Sequence, residues 1–210
     1  LSTQLLANTM AKLQNKPKVF VCASATGFYG ETGTNTVDET SSKGQGFLAD
    51  TCQAWENACQ SARDAGIRVV NIRTGVVLSP KGGALQKMLP PFLLGGGGIL
   101  GNGKQIWSWI GLDDLVDIFN HAITNNNLSG PVNAVTPNSV SNHEFTKTLG
   151  KVIHRPTIFP VPAIVLKTLL GEMADAILLG SCHVKPSKLV ESGYTFRTPQ
   201  LEDALKHMLG

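Results

Sequence analysis

An apolar run that stops abruptly in small hydroxylated residues is the feature that most constrains the fold of this chain. Residues 19–30 read VFVCASATGFYG, and the first five show no alternation of polar and apolar side chains. A strand without such alternation is typical of a parallel sheet that is covered on both faces. The small residues that follow would let a ligand approach the backbone at the carboxyl end of the strand, where open α/β sheets bind ligands. The segment therefore predicts a buried parallel strand that ends at a binding site.

A helix and a second apolar strand complete a βαβ unit. Residues 47–65 predict a helix with one face made of Cys52, Trp55, Cys59 and Ala62. Residues 67–78, IRVVNIRTGVVL, predict a strand that again ends in small residues. Because a parallel crossover puts both carboxyl ends at the same edge of the sheet, we expect residues 24–27 and 74–77 to lie side by side.

The rest of the chain alternates helices with short strands. Residues 1–15 predict a helix, residues 81–110 a loop-and-cap segment, GLDDLVDIFNHAI a helix and GPVNAV a strand. The sequence SNHE at 141–144 is a capping box for a helix that runs to about Ile153. Residues 163–180 predict a mostly apolar helix, and a last helix is expected to have Pro199 at its first position.

Composition excludes several classes of function. The net charge of +3 is spread along the chain, without the basic cluster that nucleic acid binding requires. The nearly uncharged stretch 88–102 contains two prolines and four successive glycines, so it does not predict a membrane span. Four scattered cysteines are too few for a disulfide framework and indicate a reducing compartment, with the cytoplasm as the first expectation and an organelle as the alternative.

Several motifs are better explained by structure than by chemistry. Gly96, Gly98 and Gly101 match G-x-G-x-x-G, and residues 98–104 resemble a P-loop, but neither stands between a strand and a helix as a phosphate loop must. Asp113 and Asp114 are expected to supply an N-cap and a first-turn charge rather than a catalytic pair. No spacing of cysteine and histidine favours a metal site.

Ser24 and Tyr29 carry the strongest chemical signal. A serine at the end of a central strand can donate a hydrogen bond to a substrate oxygen, and a tyrosine can transfer a proton if a neighbouring cation lowers its pKa. The alternatives are a serine that caps the turn and a tyrosine that packs against the cap. The residues alone leave both readings open.

Three motifs together resemble one family. SATGFYG, RTGVVLSPKGGALQKMLPPFLLGGGG and IGLDDL are similar to the epimerase-type, extended branch of the short-chain dehydrogenase/reductases, and closely to its atypical subgroup of epimerase family proteins. The similarity covers nearly the whole chain. It implies an α/β fold, namely the C-terminal part of a Rossmann-type doubly wound parallel sheet with a small substrate-cap lobe. Residues 1–78 and 111–135 would form the partial Rossmann domain, and residues 79–110 and 136–210 the cap lobe.

The resemblance also implies a set of site residues. The cofactor would be NADP, with NAD as the alternative, and Ser24 matches the active-site serine of the family, with Tyr29 as a nearby phenol. The cofactor contacts would be Ala25, Thr26, Arg73, Thr74, Gly75, Val76 and Val77. A small-molecule substrate would lie against Lys87, Met88, Pro91, Phe92, Trp107 and Trp109.

The sequence departs from the family pattern in three places. Leu48 and Cys52 stand where the family has its catalytic tyrosine and lysine, and Gly111 stands where relatives carry histidine. The resemblance further implies that the glycine-rich βα units precede Leu1, so that the chain is a C-terminal portion. The strand at residues 19–23 would then have an unpaired apolar edge, which predicts self-association.

Three functional hypotheses follow. The first is an NADP-dependent oxidoreductase, similar to nucleotide-sugar epimerases and of unknown substrate. The second is a non-catalytic NADP-binding or regulatory protein that has lost the tyrosine and the lysine. The third is a truncated form without cofactor binding.

Overall fold

The computed structural model of the protein describes residues 2–162, 164 and 179–210. Its helices are α1 (Ser2–Lys12), α2 (Phe47–Asn57), α3 (Gln60–Asp64), α4 (Gly83–Leu93), α5 (Leu112–Thr124), α6 (Asn142–Val152), α7 (Ser187–Glu191) and α8 (Leu201–Leu209), with one 3-10 turn at Thr26–Tyr29. Its strands are β1 (Val19–Ala25), β2 (Thr36–Val37), β3 (Arg68–Thr74), β4 (Val76–Leu78), β5 (Ile106–Trp107), β6 (Trp109–Gly111), β7 (Gly130–Ala134), β8 (Val140–Ser141) and β9 (His183–Val184).

The central sheet is parallel and has the order β1-β3-β7. β3 lies in the middle, and its Val70 and Ile72 are fully buried. The predicted parallel strand at β1 is confirmed. Its side chains pack on both faces, in two different clusters, but those of residues 19–22 are only half-buried because β1 is an edge strand. Within the described residues, no strand pairs with the outer edge of β1.

Helices cover both faces of this sheet, as in a doubly wound fold. On one face, Ile118 and Ala122 of α5 belong to the same buried cluster as Val70 and Val132 of the sheet. On the other face, a second cluster joins α1, α3 and the sheet through Ala7, Cys59, Ala62, Ile67 and Val69. The α/β fold predicted from sequence is confirmed.

Two predicted elements are interrupted. The helix expected over residues 47–65 divides into α2 and α3, and Trp55, expected on the buried face, is 47% exposed. The strand expected over residues 67–78 breaks at Gly75, where β3 ends and β4 turns to pair with β6. A Cβ at Gly75 would lie 2.5 Å from the carbonyl oxygen of Ser108, so this close approach of two backbones requires glycine.

A third buried cluster lies beyond the sheet. Trp107 packs on Phe145 with ring centroids 5.3 Å apart, and the antiparallel pair β5–β8 brings these elements together. The cluster also contains Leu78, Leu85, Phe92, Trp109, Val140, Leu149, Leu201, Ala204 and Leu205. The division of the chain into a nucleotide domain and a cap lobe stays a prediction.

The ends of the chain differ in part from expectation. The last helix begins at Leu201 rather than Pro199, which precedes it by two residues. The apolar helix predicted over 163–180 falls almost wholly outside the described residues. Among the helices that the structure describes, none is long and apolar enough to cross a membrane.

Candidate functional site

The carboxyl ends of β1, β3 and β7 form one edge of the sheet. Ser24 pairs with Arg73, Ala25 with Thr74, and Thr74 in turn with Ala134. The expected juxtaposition of the two small-residue turns is therefore confirmed. The predicted cofactor contacts at this edge are half-buried, which leaves them partly accessible from outside: Ala25, Thr26, Thr74, Gly75, Val76 and Val77.

A buried ion pair lies directly beneath this edge. Arg73 donates from Nε to Glu56 Oε1 and from Nη2 to Glu56 Oε2, both at 2.8 Å, in a bidentate arrangement. Ser24 Oγ donates to Glu56 Oε1, also at 2.8 Å. Since the Ser24 proton is given to Glu56, the serine oxygen offers lone pairs rather than a donor to anything bound above it. The Arg73 side chain lies in the interior, so any contact with a cofactor would be made by its backbone.

Tyr29 extends the same network to β7. Its hydroxyl donates to Asn133 Oδ1 at 2.8 Å and accepts from Arg73 Nη1 at 2.9 Å. Burial raises the pKa of Tyr29 to about 12, although the positive charge of Arg73 acts in the opposite direction. The Arg73 guanidinium carbon also lies 3.4 Å from the centroid of the Phe28 ring. Tyr29 is thus a protonated, fully hydrogen-bonded phenol in the interior.

Leu48 and Cys52 place α2 against the turn that follows β1. A Cβ at Gly27 would lie 3.3 Å from Leu48 Cβ and 3.8 Å from Cys52 Sγ. Cys52 is buried, and burial raises the pKa of its thiol. At these two places of the family pattern, the chain therefore presents an apolar side chain and a neutral thiol.

The six predicted substrate contacts divide into two groups. Lys87 and Pro91 are exposed on α4, and Met88 is half-buried. Phe92, Trp107 and Trp109 are side chains of the buried cluster around Phe145, and Trp109 Nε1 donates to the Asn138 carbonyl at 3.0 Å. The three aromatic residues contribute first of all to the core, and their role in substrate binding stays a prediction.

The sequence interpretation missed Glu56, Asn133 and Glu39. Glu56 follows Cys52 by four residues on the buried face of α2, and a carboxylate in that position signals a buried partner. Glu39 Oε1 accepts from the backbone N–H of Asn133 at 3.0 Å and from the backbone N–H of Lys188 at 3.4 Å. These two bonds join β7 to α7. Burial raises the pKa of Glu39.

Small side chains, rather than groups of metal-ligating side chains, line this edge among the described residues. Within the described residues, no three His, Cys, Asp or Glu side chains cluster closely enough to hold a metal. Small residues form a strip at this edge, from Ala25 and Thr26 to Thr74 and Gly75, and Ala25 pairs directly with Thr74. Ser24, the last residue of β1 before this strip, is the nearest hydroxyl residue of that strand.

Comparisons with known proteins agree with this architecture. Residues 1–135 match the NAD dependent epimerase/dehydratase family, and residues 161–208 match a domain of unknown function, DUF1731. An epimerase family protein of Mycobacterium bovis is 46% identical over 183 residues, which cover 87% of this chain and 61% of that protein. The chain thus spans less than two thirds of that relative.

Two solved structures show the same fold. Human epimerase family protein SDR39U1 (isoform 2), crystallised with NADPH, has a TM-score of 0.93 and 36% identity, over 99% of this chain and 70% of that one. A nucleoside-diphosphate sugar epimerase of Corynebacterium glutamicum has a TM-score of 0.80 and 38% identity, over 99% of this chain and 41% of that one. From the family match over residues 1–135 and these similarities, the chain belongs to the NAD dependent epimerase/dehydratase family.

Proposed function

We propose that the protein binds NADP(H) at the carboxyl edge of the β1–β3–β7 sheet and acts as an oxidoreductase of the epimerase type on a small molecule. The observation that carries this proposal is the parallel register of β1 and β3, which sets Ala25 beside Thr74 next to the buried ion pair of Arg73 and Glu56. The NADPH in the human relative's structure and the shared fold support the choice of cofactor.

In this function each group has a defined task. The bound cofactor supplies or accepts the hydride. Ser24 orients an oxygen of the substrate, and because its own proton goes to Glu56 it accepts a hydrogen bond from a substrate hydroxyl. Arg73 fixes Glu56, and Tyr29 fixes Arg73. The geometry favours this supporting role for Tyr29 over the direct proton transfer expected from sequence, since its hydroxyl is already bonded twice.

A second function is favoured by Leu48 and Cys52. Neither an alkyl group nor a neutral buried thiol can replace a phenol and an ammonium group as proton donor and cation. A protein with this pair could hold NADP(H) without reacting, and so serve as a nucleotide-dependent binding or regulatory protein. The two functions share the same cofactor site and differ only in hydride transfer.

A titration of NADPH fluorescence tests cofactor binding. It is run on this chain and on an extended chain that carries the glycine-rich βα units of the family at its N-terminus. Ala25→Trp should raise the Kd of the extended chain at least about tenfold, because the indole would fill the proposed site. Ala54→Trp, on the exposed side of α2, is the matched control and should leave the Kd unchanged.

Turnover then separates the two functions. Oxidation of NADPH with a panel of carbonyl compounds supports the oxidoreductase, whereas binding without oxidation supports the regulatory protein. Absence of NADPH binding in both chains would contradict both functions.

A further inference from the structure

Two thiols, those of Cys22 and Cys59, lie on the same face of the sheet as the contact between Ser24 and Glu56. Cys22 precedes Ser24 by two residues on β1, so both side chains project to the same face of the sheet. Cys59 follows Glu56 by three residues, immediately after α2, and is buried under that face. The strand and the helix that meet through Ser24 and Glu56 therefore meet again through Cys22 and Cys59.

The contact between the thiols is fixed by a third residue. Cys22 is the register partner of Asn71 on β3, and paired residues of parallel strands point to the same side. Asn71 Nδ2 lies 3.6 Å from Cys59 Sγ and donates to it. Cys22 packs against the buried cluster that contains Cys59. Asn71 thus holds Cys59 over Cys22.

The surroundings distinguish the two sulfurs chemically. The hydrogen bonds that Cys59 receives from Cys22 and Asn71, together with the nearby charge of Arg63, lower the pKa of the Cys59 thiol. The hydrogen bond with Cys59, followed by burial, raises the pKa of Cys22. Arg63 Nη2 also donates to Asn71 Oδ1 at 2.6 Å, which orients the amide. Because Asn71 donates to Cys59 Sγ and is itself held by Arg63, we assign Cys59 as the nucleophilic partner and Cys22 as the resolving partner.

We propose that Cys22 and Cys59 form a reversible disulfide, which makes this pair an oxidation site between β1 and the α2–α3 junction. With a peroxide as oxidant, the Cys59 sulfur attacks the O–O bond, an S–O bond forms, and the other oxygen leaves as water after taking up a proton. Cys22 sulfur then attacks the Cys59 sulfur, the S–S bond forms, and the S–O bond breaks. The second oxygen leaves as water with the Cys22 proton, so two thiols are oxidised and one peroxide gives two waters.

This modification does not depend on cofactor binding. The bond would close a loop over residues 22–59, which includes Ser24, Leu48 and Cys52. It would therefore tie the strand that carries Ser24 to the helix that carries Glu56. In a reducing compartment such a bond is transient and responds to oxidants.

Peptide mass spectrometry tests the proposal on the intact chain. The reduced protein is exposed to increasing hydrogen peroxide at low protein concentration, and the remaining thiols are alkylated. Cleavage on the carboxyl side of Glu56 separates Cys52 from Cys59. We expect a Cys22 peptide linked to a Cys59 peptide, lighter by two hydrogens and lost on treatment with dithiothreitol, while Cys52 and Cys182 stay alkylated.

Variants give the matched controls. Cys52→Ala should keep the linked peptide, whereas Cys22→Ala and Cys59→Ala should each abolish it. The proposal is overturned if Cys22 and Cys59 are both recovered as alkylated thiols under oxidation, or if Cys22 links equally to Cys52 or to a second chain. These outcomes are read from the unmutated protein, so they hold even if one variant fails to fold.

Discussion

Arg73 is a charged side chain in the interior, and each of its three side-chain nitrogens donates a hydrogen bond. Two of its nitrogens bind the Glu56 carboxylate and a third binds the Tyr29 hydroxyl, while Phe28 covers the guanidinium. Taking both charges out of water is costly, and the bidentate geometry offsets this cost only while both partners are present. The pair therefore holds the site in one geometry more than it adds net stability.

Removal of Arg73 should be strongly destabilising. Arg73→Met leaves a buried carboxylate without its partner, and we expect a loss of about 3–5 kcal/mol in the free energy of unfolding, measured by urea denaturation. The double variant Arg73→Met, Glu56→Leu should regain most of this loss because no charge is then left buried. Arg197→Met, which breaks an exposed pair with Asp117, should change stability little. Equal losses in the single and double variants would contradict this account.

Tyr29 predicts how stability changes in alkaline solution. Its pKa is raised to about 12 by burial, whereas an unfolded tyrosine ionises near 10. Between these values the unfolded chain releases the proton and the native protein keeps it, so stability falls as pH rises. The contribution of Tyr29 is complete below about pH 10 and declines by about 1.4 kcal/mol per pH unit up to about pH 12.

The variant Tyr29→Phe isolates this effect. At pH 8 we expect it to be about 1–2 kcal/mol less stable, because Arg73 and Asn133 lose a partner. The difference between the two proteins should shrink in urea titrations repeated from pH 9 to 11. A difference that stays constant over this range would show that the phenol ionises equally in both states.

The elements that sequence predicted well are those determined by neighbouring residues. The serine half of the capping box predicted at 141–144 is confirmed, since Ser141 Oγ accepts from the Glu144 backbone at 3.1 Å at the start of α6. The βαβ unit follows from two apolar runs and the helix between them. The break at Gly75 could not be predicted in this way, because its cause is the backbone of Ser108, more than thirty residues away.

Long-range pairs account for the parts of the site that were missed. Glu56 is visible as a carboxylate on a buried helix face, but its partner Arg73 lies on another element. Trp55 appeared on the same face only because the helix was expected to continue through residues 58–59. Apolar periodicity identifies a face, and the identity of the charged group that neutralises a buried carboxylate depends on tertiary contacts.

Asp114 shows the same limit at the start of α5. The prediction that Asp113 or Asp114 is the N-cap of α5 is wrong, because Gly111 takes that position. Both aspartates lie in the first turn of the helix. Asp114 is buried and accepts from the backbone of Arg197 at 2.9 Å and from the Tyr194 hydroxyl at 3.0 Å. A carboxylate predicted to cap its own helix instead fastens the segment before α8 to α5.

Substitution of Asp114 should loosen that segment. Asp114→Ala leaves several donors without an acceptor, and we expect a loss of roughly 2–4 kcal/mol in the free energy of unfolding. Faster amide exchange at residues 194–198 should accompany this loss. Asp113→Ala is the matched control, since its exposed carboxylate pairs only with His207 at the surface. Similar losses in both variants would contradict the anchoring role.

At the scale of the whole molecule, the described surface combines an unpaired strand edge with exposed apolar side chains. β1 is an edge strand with half-buried apolar side chains. On the helices nearby, Leu5 is 68% exposed and Phe47 is 81% exposed. Scattered apolar residues are normal on a protein surface, but an unpaired strand edge also presents free backbone donors and acceptors. Both features favour association with another strand.

We therefore expect the isolated chain to self-associate through the edge of β1. Sedimentation velocity should show a concentration-dependent increase in mass, as the paired edge satisfies backbone groups that water otherwise solvates. Hydrogen exchange at the same concentrations identifies the surface involved: the outward amides of Val19–Ala25 should gain protection in parallel with the mass. Amides of residues 70–74, which pair with β1 on one side and β7 on the other, should be protected throughout. Association without new protection of β1 would assign the contact to the helices, and a monomer at all concentrations would contradict edge pairing altogether.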